Sequence, residues 1–104
     1  MGIDKKNTSF ADGAPMRING EELHFPVTFR LKAVFTTVLS DRENKNRLVR
    51  IFDHLKIGYL YYNANRSSKG NYVSFTYEIT VGDRPTLQRL YDRLNEIDNL
   101  KFAL

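Results

Sequence analysis

The chain has 104 residues, 41% hydrophobic and 27% charged, with a formal net charge of +4. That is the size and balance of one ordinary globular domain, and no apolar run approaches the roughly 18 residues a membrane-spanning helix requires. Cysteine is absent, which excludes disulfides, thiolate metal sites and a cysteine nucleophile.

Residues 1–22 are mostly polar and carry Gly2, Gly13, Pro15 and Gly20. They read as a flexible N-terminal segment ahead of a single domain spanning residues 23–104. Asn19-Gly20 is a hairpin-type pair between Ile18 and Leu23, so a small extra hairpin is allowed there. The first residues have no apolar core for a signal peptide, so a cytoplasmic location is expected.

From Phe25 the pattern becomes regular. Phe25, Val27, Phe29, Leu31, Ala33 and Phe35 alternate with other residues, the period of a strand with one buried face. Pro26 lacks a ladder donor and belongs at the start of that strand. Ser40 followed by Glu43 is a capping-box pair, in which each side chain satisfies an orphan amide of a first helical turn. Leu48, Ile51, Phe52 and Leu55 then fall on one helix face, with Gly58 as the expected stop. This helix reads as short.

Residues 59–65 are β-prone and rich in tyrosine. Either Leu60 and Tyr62 or Tyr59 and Tyr61 face inward. Leu60 and Tyr62 are the expected pair, because leucine gains more from burial. A Gly-containing turn, Ser67-Ser68-Lys69-Gly70-Asn71, leads into a second long strand in which Val73, Phe75, Tyr77, Ile79 and Val81 alternate. Asp83 caps a second helix with Pro85 in its first turn. Leu87, Leu90, Tyr91, Leu94 and Ile97 form the buried stripe, and Asp98-Asn99 ends the helix. Leu100, Phe102 and Leu104 alternate again, which suggests a short final strand.

The order strand, helix, strand, strand, helix, strand predicts an α+β domain. It has a four-stranded antiparallel sheet with both helices on one face and the two long strands central.

Three stretches resemble the YbeD-like family of small bacterial proteins of unknown function. They are Phe25-Pro26 with Phe29 and Lys32; Ser67-Ser68-Lys69-Gly70-Asn71-Tyr72 with Ser74; and Leu90-Tyr91, Leu94 and Ile97-Asp98 before the last strand. The resemblance implies a ferredoxin-like βαββαβ sandwich, similar to ACT-type regulatory domains that bind small molecules, with no established activity.

Three surfaces carry the functional expectations. In the hairpin turn, Ser67, Ser68 and Lys69, with the amides of Gly70 and Asn71, would hold a phosphate or carboxylate. The plainer reading is that Gly70 supplies a positive φ and the serines satisfy local amides. On the open sheet face, Arg30, Lys32, Tyr72, Ser74, Thr76 and Glu78 resemble the layout of an RNA-binding sheet. Its plainer reading is a cross-strand pair of Lys32 or Arg30 with Glu78. The tyrosine strand, at the sheet edge, would pair with another chain. His24 and His54 are far apart, and no His or carboxylate cluster has metal-ligand spacing, so neither a metal nor a cofactor is expected.

A non-enzymatic regulatory or adaptor domain is the leading expectation. It would bind a protein partner or a small anionic ligand through Ser67, Ser68, Lys69, Gly70 and Asn71, with Lys32 second, and act as monomer or homodimer away from membranes. An RNA- or single-strand-binding module using the basic sheet is the alternative.

Overall fold

The computed structural model describes residues 17–18 and 21–104. Two-residue strands β1 (Arg17–Ile18) and β2 (Glu21–Glu22) pair antiparallel, so the small extra hairpin is present. The rest of the expected flexible segment lies outside the described residues.

The main body runs β3 (Val27–Thr36), α1 (Asp41–His54), β4 (Gly58–Arg66), β5 (Tyr72–Val81), α2 (Arg84–Asn95) and β6 (Leu100–Ala103). The sheet order is β4-β5-β3-β6, and every pairing is antiparallel. This is the ferredoxin-like α+β fold, with the two long strands central. Pro26 sits one residue ahead of β3, where its missing donor breaks no ladder bond.

Both helices begin as their sequences dictate. The Glu43 amide donates to Ser40 Oγ at 3.1 Å while the Glu43 carboxylate accepts from the Ser40 amide. Asp83 Oδ1 accepts from the Thr86 amide at 2.9 Å. The Thr86 side chain first, and this amide second, hold the Asp83 carboxyl below its usual range, since hydrogen bonds to the carboxylate favour the charged form.

The core lies between sheet and helices. Leu31, Ala33 and Phe35 of β3 and Val73, Phe75, Tyr77, Ile79 and Val81 of β5 pack against Leu48, Ile51 and Phe52 of α1 and Leu87, Leu90, Tyr91 and Leu94 of α2.

Four expectations change. First, α1 is not short: it has 14 residues. Second, its stop is not Gly58. Leu55 is the C-cap and Lys56 takes φ 57°, the left-handed position that glycine more often fills, while Gly58 opens β4.

Third, the facing of β4 is reversed. Tyr59 stands opposite Ile79 and Tyr61 opposite Tyr77. Directly opposed residues share a face, and Ile79 and Tyr77 are buried. Tyr59 therefore meets Phe52 of α1, with ring centroids 5.4 Å apart, and Tyr61 meets Tyr77 at the same distance. Leu60 and Tyr62 point to the open face, 68% and 52% exposed. Aromatic stacking against α1 outweighs the burial of one leucine.

Fourth, the alternation expected at Leu100, Phe102 and Leu104 does not hold in β6. A register shift between Val34 and Phe35 sets Leu100 opposite Phe35, Phe102 opposite Val34 and Ala103 opposite Ala33. Leu100 and Ala103 are buried instead.

Candidate functional surface

The hairpin turn closes on itself before it meets anything else. The Ser67 amide donates to the Tyr72 carbonyl at 2.9 Å, and the Tyr72 amide donates to Ser67 Oγ at 3.1 Å. The Gly70 amide donates to the Ser67 carbonyl at 2.9 Å. Gly70 has φ 77°, a conformation that side-chain-bearing residues rarely adopt. These bonds match the plainer reading of the turn.

A second connection holds the turn from outside. After β3, the Thr37 hydroxyl donates to the Gly70 carbonyl at 2.8 Å, and the Thr37 amide donates to the Asn71 carbonyl at 3.2 Å. The turn is thereby fixed to the β3–α1 connection.

The room left for a ligand is narrower than the sequence suggests. The Gly70 amide is engaged with Ser67 and does not face outward. Ser67 Oγ is already an acceptor for Tyr72. Ser68, Lys69 and Asn71 are exposed. Lys32 is not part of this group. It stands opposite Thr76, whereas Thr36 stands opposite Tyr72 at the turn. Four residues of strand, roughly 13 Å, separate them.

Gly70 gives a direct test. A Cβ there would meet nothing within 4 Å, so crowding is absent and only the backbone conformation is at stake. Gly70→Ala is expected to lower stability by about 1 kcal/mol, and Gly70→Asn by less, because asparagine tolerates the left-handed region. Urea unfolding of both variants checks this. Equal losses would mean that the φ of Gly70 does not set the cost.

Beside the turn lies the sheet edge. All nine residues of β4 are exposed. Its register shifts between Tyr61 and Asn63, leaving Tyr62 as an extra residue and switching the side-chain parity of the rest of the strand. Arg66 consequently reaches the helix layer, where its guanidinium contacts both oxygens of Asp41 at 2.8 Å.

Cations frame the tyrosines. Arg30 lies opposite Glu78, as expected, but its guanidinium carbon sits 3.8 Å from the centre of the Tyr62 ring. On the helix side, Lys45 Nζ is 5.1 Å from the centre of the Tyr61 ring. Such contacts hold both ring and cation at the surface.

Neither histidine joins this surface. Among the described residues, no group of three or more His, Cys, Asp or Glu is placed to hold a metal ion. No helix among them is long and apolar enough to cross a membrane.

Sequence reasoning missed a buried polar cluster. The Asn99 amide nitrogen donates to Asn44 Oδ1 at 3.0 Å and to the Thr36 carbonyl at 3.3 Å, while Arg47 donates to Asn99 Oδ1 at 2.7 Å. Asn44 is fully buried. The available signal was its place four residues before Leu48, on the same helix face. The cluster ties α1 to β3 and to the start of β6. It is an internal brace, and its groups face one another.

Comparisons with known proteins agree with the fold. The structure is similar to the solution structure of protein HP0495 from H. pylori, with a TM-score of 0.60 and 13% identity over 88% of this chain and 94% of that one. In sequence, the chain is 30% identical over 86 residues to a UPF0250 protein of Shewanella piezotolerans strain WP3, covering 81% of this chain and 92% of the relative. Residues 20–104 match the family described as Protein of unknown function (DUF493). That span takes in β3 to β6 and both helices, so the chain belongs to the DUF493 family, the YbeD-like group of small bacterial proteins of unknown function.

Proposed function

We propose that this protein is a non-enzymatic regulatory or adaptor domain of the cytoplasm that binds a protein partner along β4 and the adjoining turn. The observation that carries this reading is the edge itself. Tyr59, Tyr61 and Tyr62 are 40%, 47% and 52% exposed on a nine-residue strand with only one sheet neighbour among the described residues. Edges are usually blunted by lysine, proline, a charge or a bulge; this one has no lysine or proline, its Arg66 is engaged by Asp41, and its bulge at Tyr62 leaves the register from Asn63 to Arg66 regular. Tyrosine supplies large contact area at low entropy cost.

Lys69, Ser68 and Asn71 extend the surface past the end of β4. They would take a carboxylate or another small anion of the partner, Lys69 supplying charge and the others hydrogen bonds. Lys69→Glu is expected to abolish capture of a specific protein from a bacterial lysate at low and moderate salt, read by mass spectrometry. Capture that is unchanged in the variant would remove the turn from the interface.

A second reading is a single-strand nucleic-acid module using the open face, favoured by the exposed ring of Tyr62 under the Arg30 guanidinium, with Lys32 and the exposed Tyr72 further along the central strands. Phosphate contacts release counterions, so nucleic acid recovered in the same experiment would wash off steeply with salt.

A further inference from the structure

We infer that β4 is extended by an acidic peptide strand from the partner, in preference to a second copy of this chain. The inference rests on the partner-binding reading and adds the chemistry of the bound segment.

The backbone comes first. Ser67 bonds through its amide to Tyr72 and so points toward β5. In an antiparallel pair, successive residues point alternately toward and away from the neighbouring strand. Arg66 and Ala64, at odd steps from Ser67, therefore turn their amides and carbonyls outward. The register Ala64 to Phe75 and Arg66 to Val73 continues without a break here, so the free donors and acceptors are regularly spaced for an incoming strand.

Charge then selects the occupant. Lys45 stands over Tyr61 on the helix side and Arg30 over Tyr62 on the open side. Lys56 precedes the strand and Lys69 follows it, both exposed. The Asp41 carboxylate is engaged by Arg66 at 2.8 Å, and Glu78 lies opposite Arg30 and Leu60. Lys45, Arg30, Lys56 and Lys69 thus outweigh Glu78 around the edge. In an antiparallel two-fold β4–β4 pair the cations flanking one strand would meet those flanking the other, the Lys56 end of one copy lying toward the Lys69 end of the second. Like charges in that position oppose pairing. In an acidic strand, alternate side chains would instead reach Arg30 on one face and Lys45 on the other.

The test uses the full chain and a labelled ten-residue peptide of alternating glutamate and valine, with a lysine-for-glutamate peptide as control. Fluorescence anisotropy at low salt is expected to show the acidic peptide binding at least about tenfold tighter than the basic one, the gap narrowing with salt. Amide exchange at Ala64 and Arg66 should slow on binding.

Ala64→Pro removes an outward amide and leaves the ladder to β5 intact. It should weaken acidic-peptide binding about tenfold while retaining the far-UV circular dichroism of the wild type. Lys45→Glu should do the same by charge, and it carries the test if the proline variant does not fold. Equal binding of the two peptides, or unchanged binding by the folded Ala64→Pro variant, overturns the inference. So does a peptide-free dimer, seen by sedimentation, whose Ala64 and Arg66 amides are already slow.

The two readings fail separately. A lysate partner captured equally by wild type and Ala64→Pro keeps the adaptor reading and overturns strand addition. Peptide binding as expected, without any captured protein, supports the edge chemistry and overturns the adaptor reading.

Discussion

Between pH 10 and pH 12 the domain is expected to lose on the order of 3 kcal/mol of folding stability, because two tyrosines hold their protons in the fold beyond the point where the unfolded chain releases them. Tyr77 is pushed up from 10.0 to about 12, first by burial and then by the neighbouring Tyr61 and Tyr59. Tyr91 is pushed up to about 12 by burial.

The sign comes from proton counts. Below pH 10 both states are protonated, and the stabilisation is fully present. As pH rises from 10 to 12 the unfolded chain ionises while the folded one does not, so each increment of pH favours unfolding. Two units correspond to roughly 2–3 kcal/mol for Tyr91, not all of it lost by pH 12; Tyr77 contributes less, because part of its shift is repulsion from the half-exposed Tyr59 and Tyr61, which solvent screens.

Urea unfolding at pH 9 and pH 11.5 measures the loss. Tyr91→Phe should flatten the dependence by about half. It removes the hydroxyl and keeps the ring that packs among the buried side chains of α2. A midpoint that does not move between the two pH values would show that neither phenol is protected by the fold.

The second large effect is expected at Asn99. Its side chain bridges three elements, donating to Asn44 of α1 and to the Thr36 carbonyl of β3 while accepting from Arg47. Asn99→Ala leaves the Asn44 oxygen and the Thr36 carbonyl without that donor, in a region where Asn44 is fully buried. An unmet buried group costs about 1–3 kcal/mol, so the total is on the order of 2–4 kcal/mol. For a domain of this size that corresponds to a fall in Tm of roughly 10–20 °C.

Asn99→Asp separates the contributions. A carboxylate keeps the Arg47 partner but cannot donate to Asn44 or Thr36, so it should recover only part of the loss. Thermal melts at neutral pH decide the matter. If both variants melt within a few degrees of the wild type, the cluster is not the brace its geometry describes. The Asn44 amide nitrogen has no hydrogen-bond partner among the described residues, so Asn44→Ala is expected to disturb fewer bonds than Asn99→Ala.

Neither effect touches the proposed surface. Asn44 and Asn99 lie inside, Tyr91 lies on the buried face of α2, and β4 stands at the far edge beyond β5. Stability and binding variants can therefore be read apart. Tyr77 is the exception, because its ring packs on Tyr59 and Tyr61. Its loss would move both.

The features that the sequence determined by itself are those that depend on near neighbours along the chain. The alternation in β3 and β5, the Ser40–Glu43 and Asp83–Thr86 caps and the apolar stripes of both helices are local patterns. Each points to a single element type, and the element order then admits few topologies.

Tertiary structure alone decided the rest. In β4 both parities carry large side chains, so alternation cannot choose a face. The register against Ile79 and Tyr77 chooses it, and the extra residue at Tyr62 reverses the choice for Ala64 and Arg66. Phe102 obeys the same rule, its facing set by a register shift against β3. Lys56 ends α1 because the chain must turn at once into β4 while Ile57 enters the core, although glycine stands two residues on. Asn44 and Asn99 are 55 residues apart; their pairing exists only once α1 has docked against the start of β6. The turn was legible as a turn, but which of its amides remained free was settled by hydrogen bonds to Ser67 and Tyr72, which of its carbonyls by Thr37, and the cationic rim of β4 by packing that no spacing along the chain records.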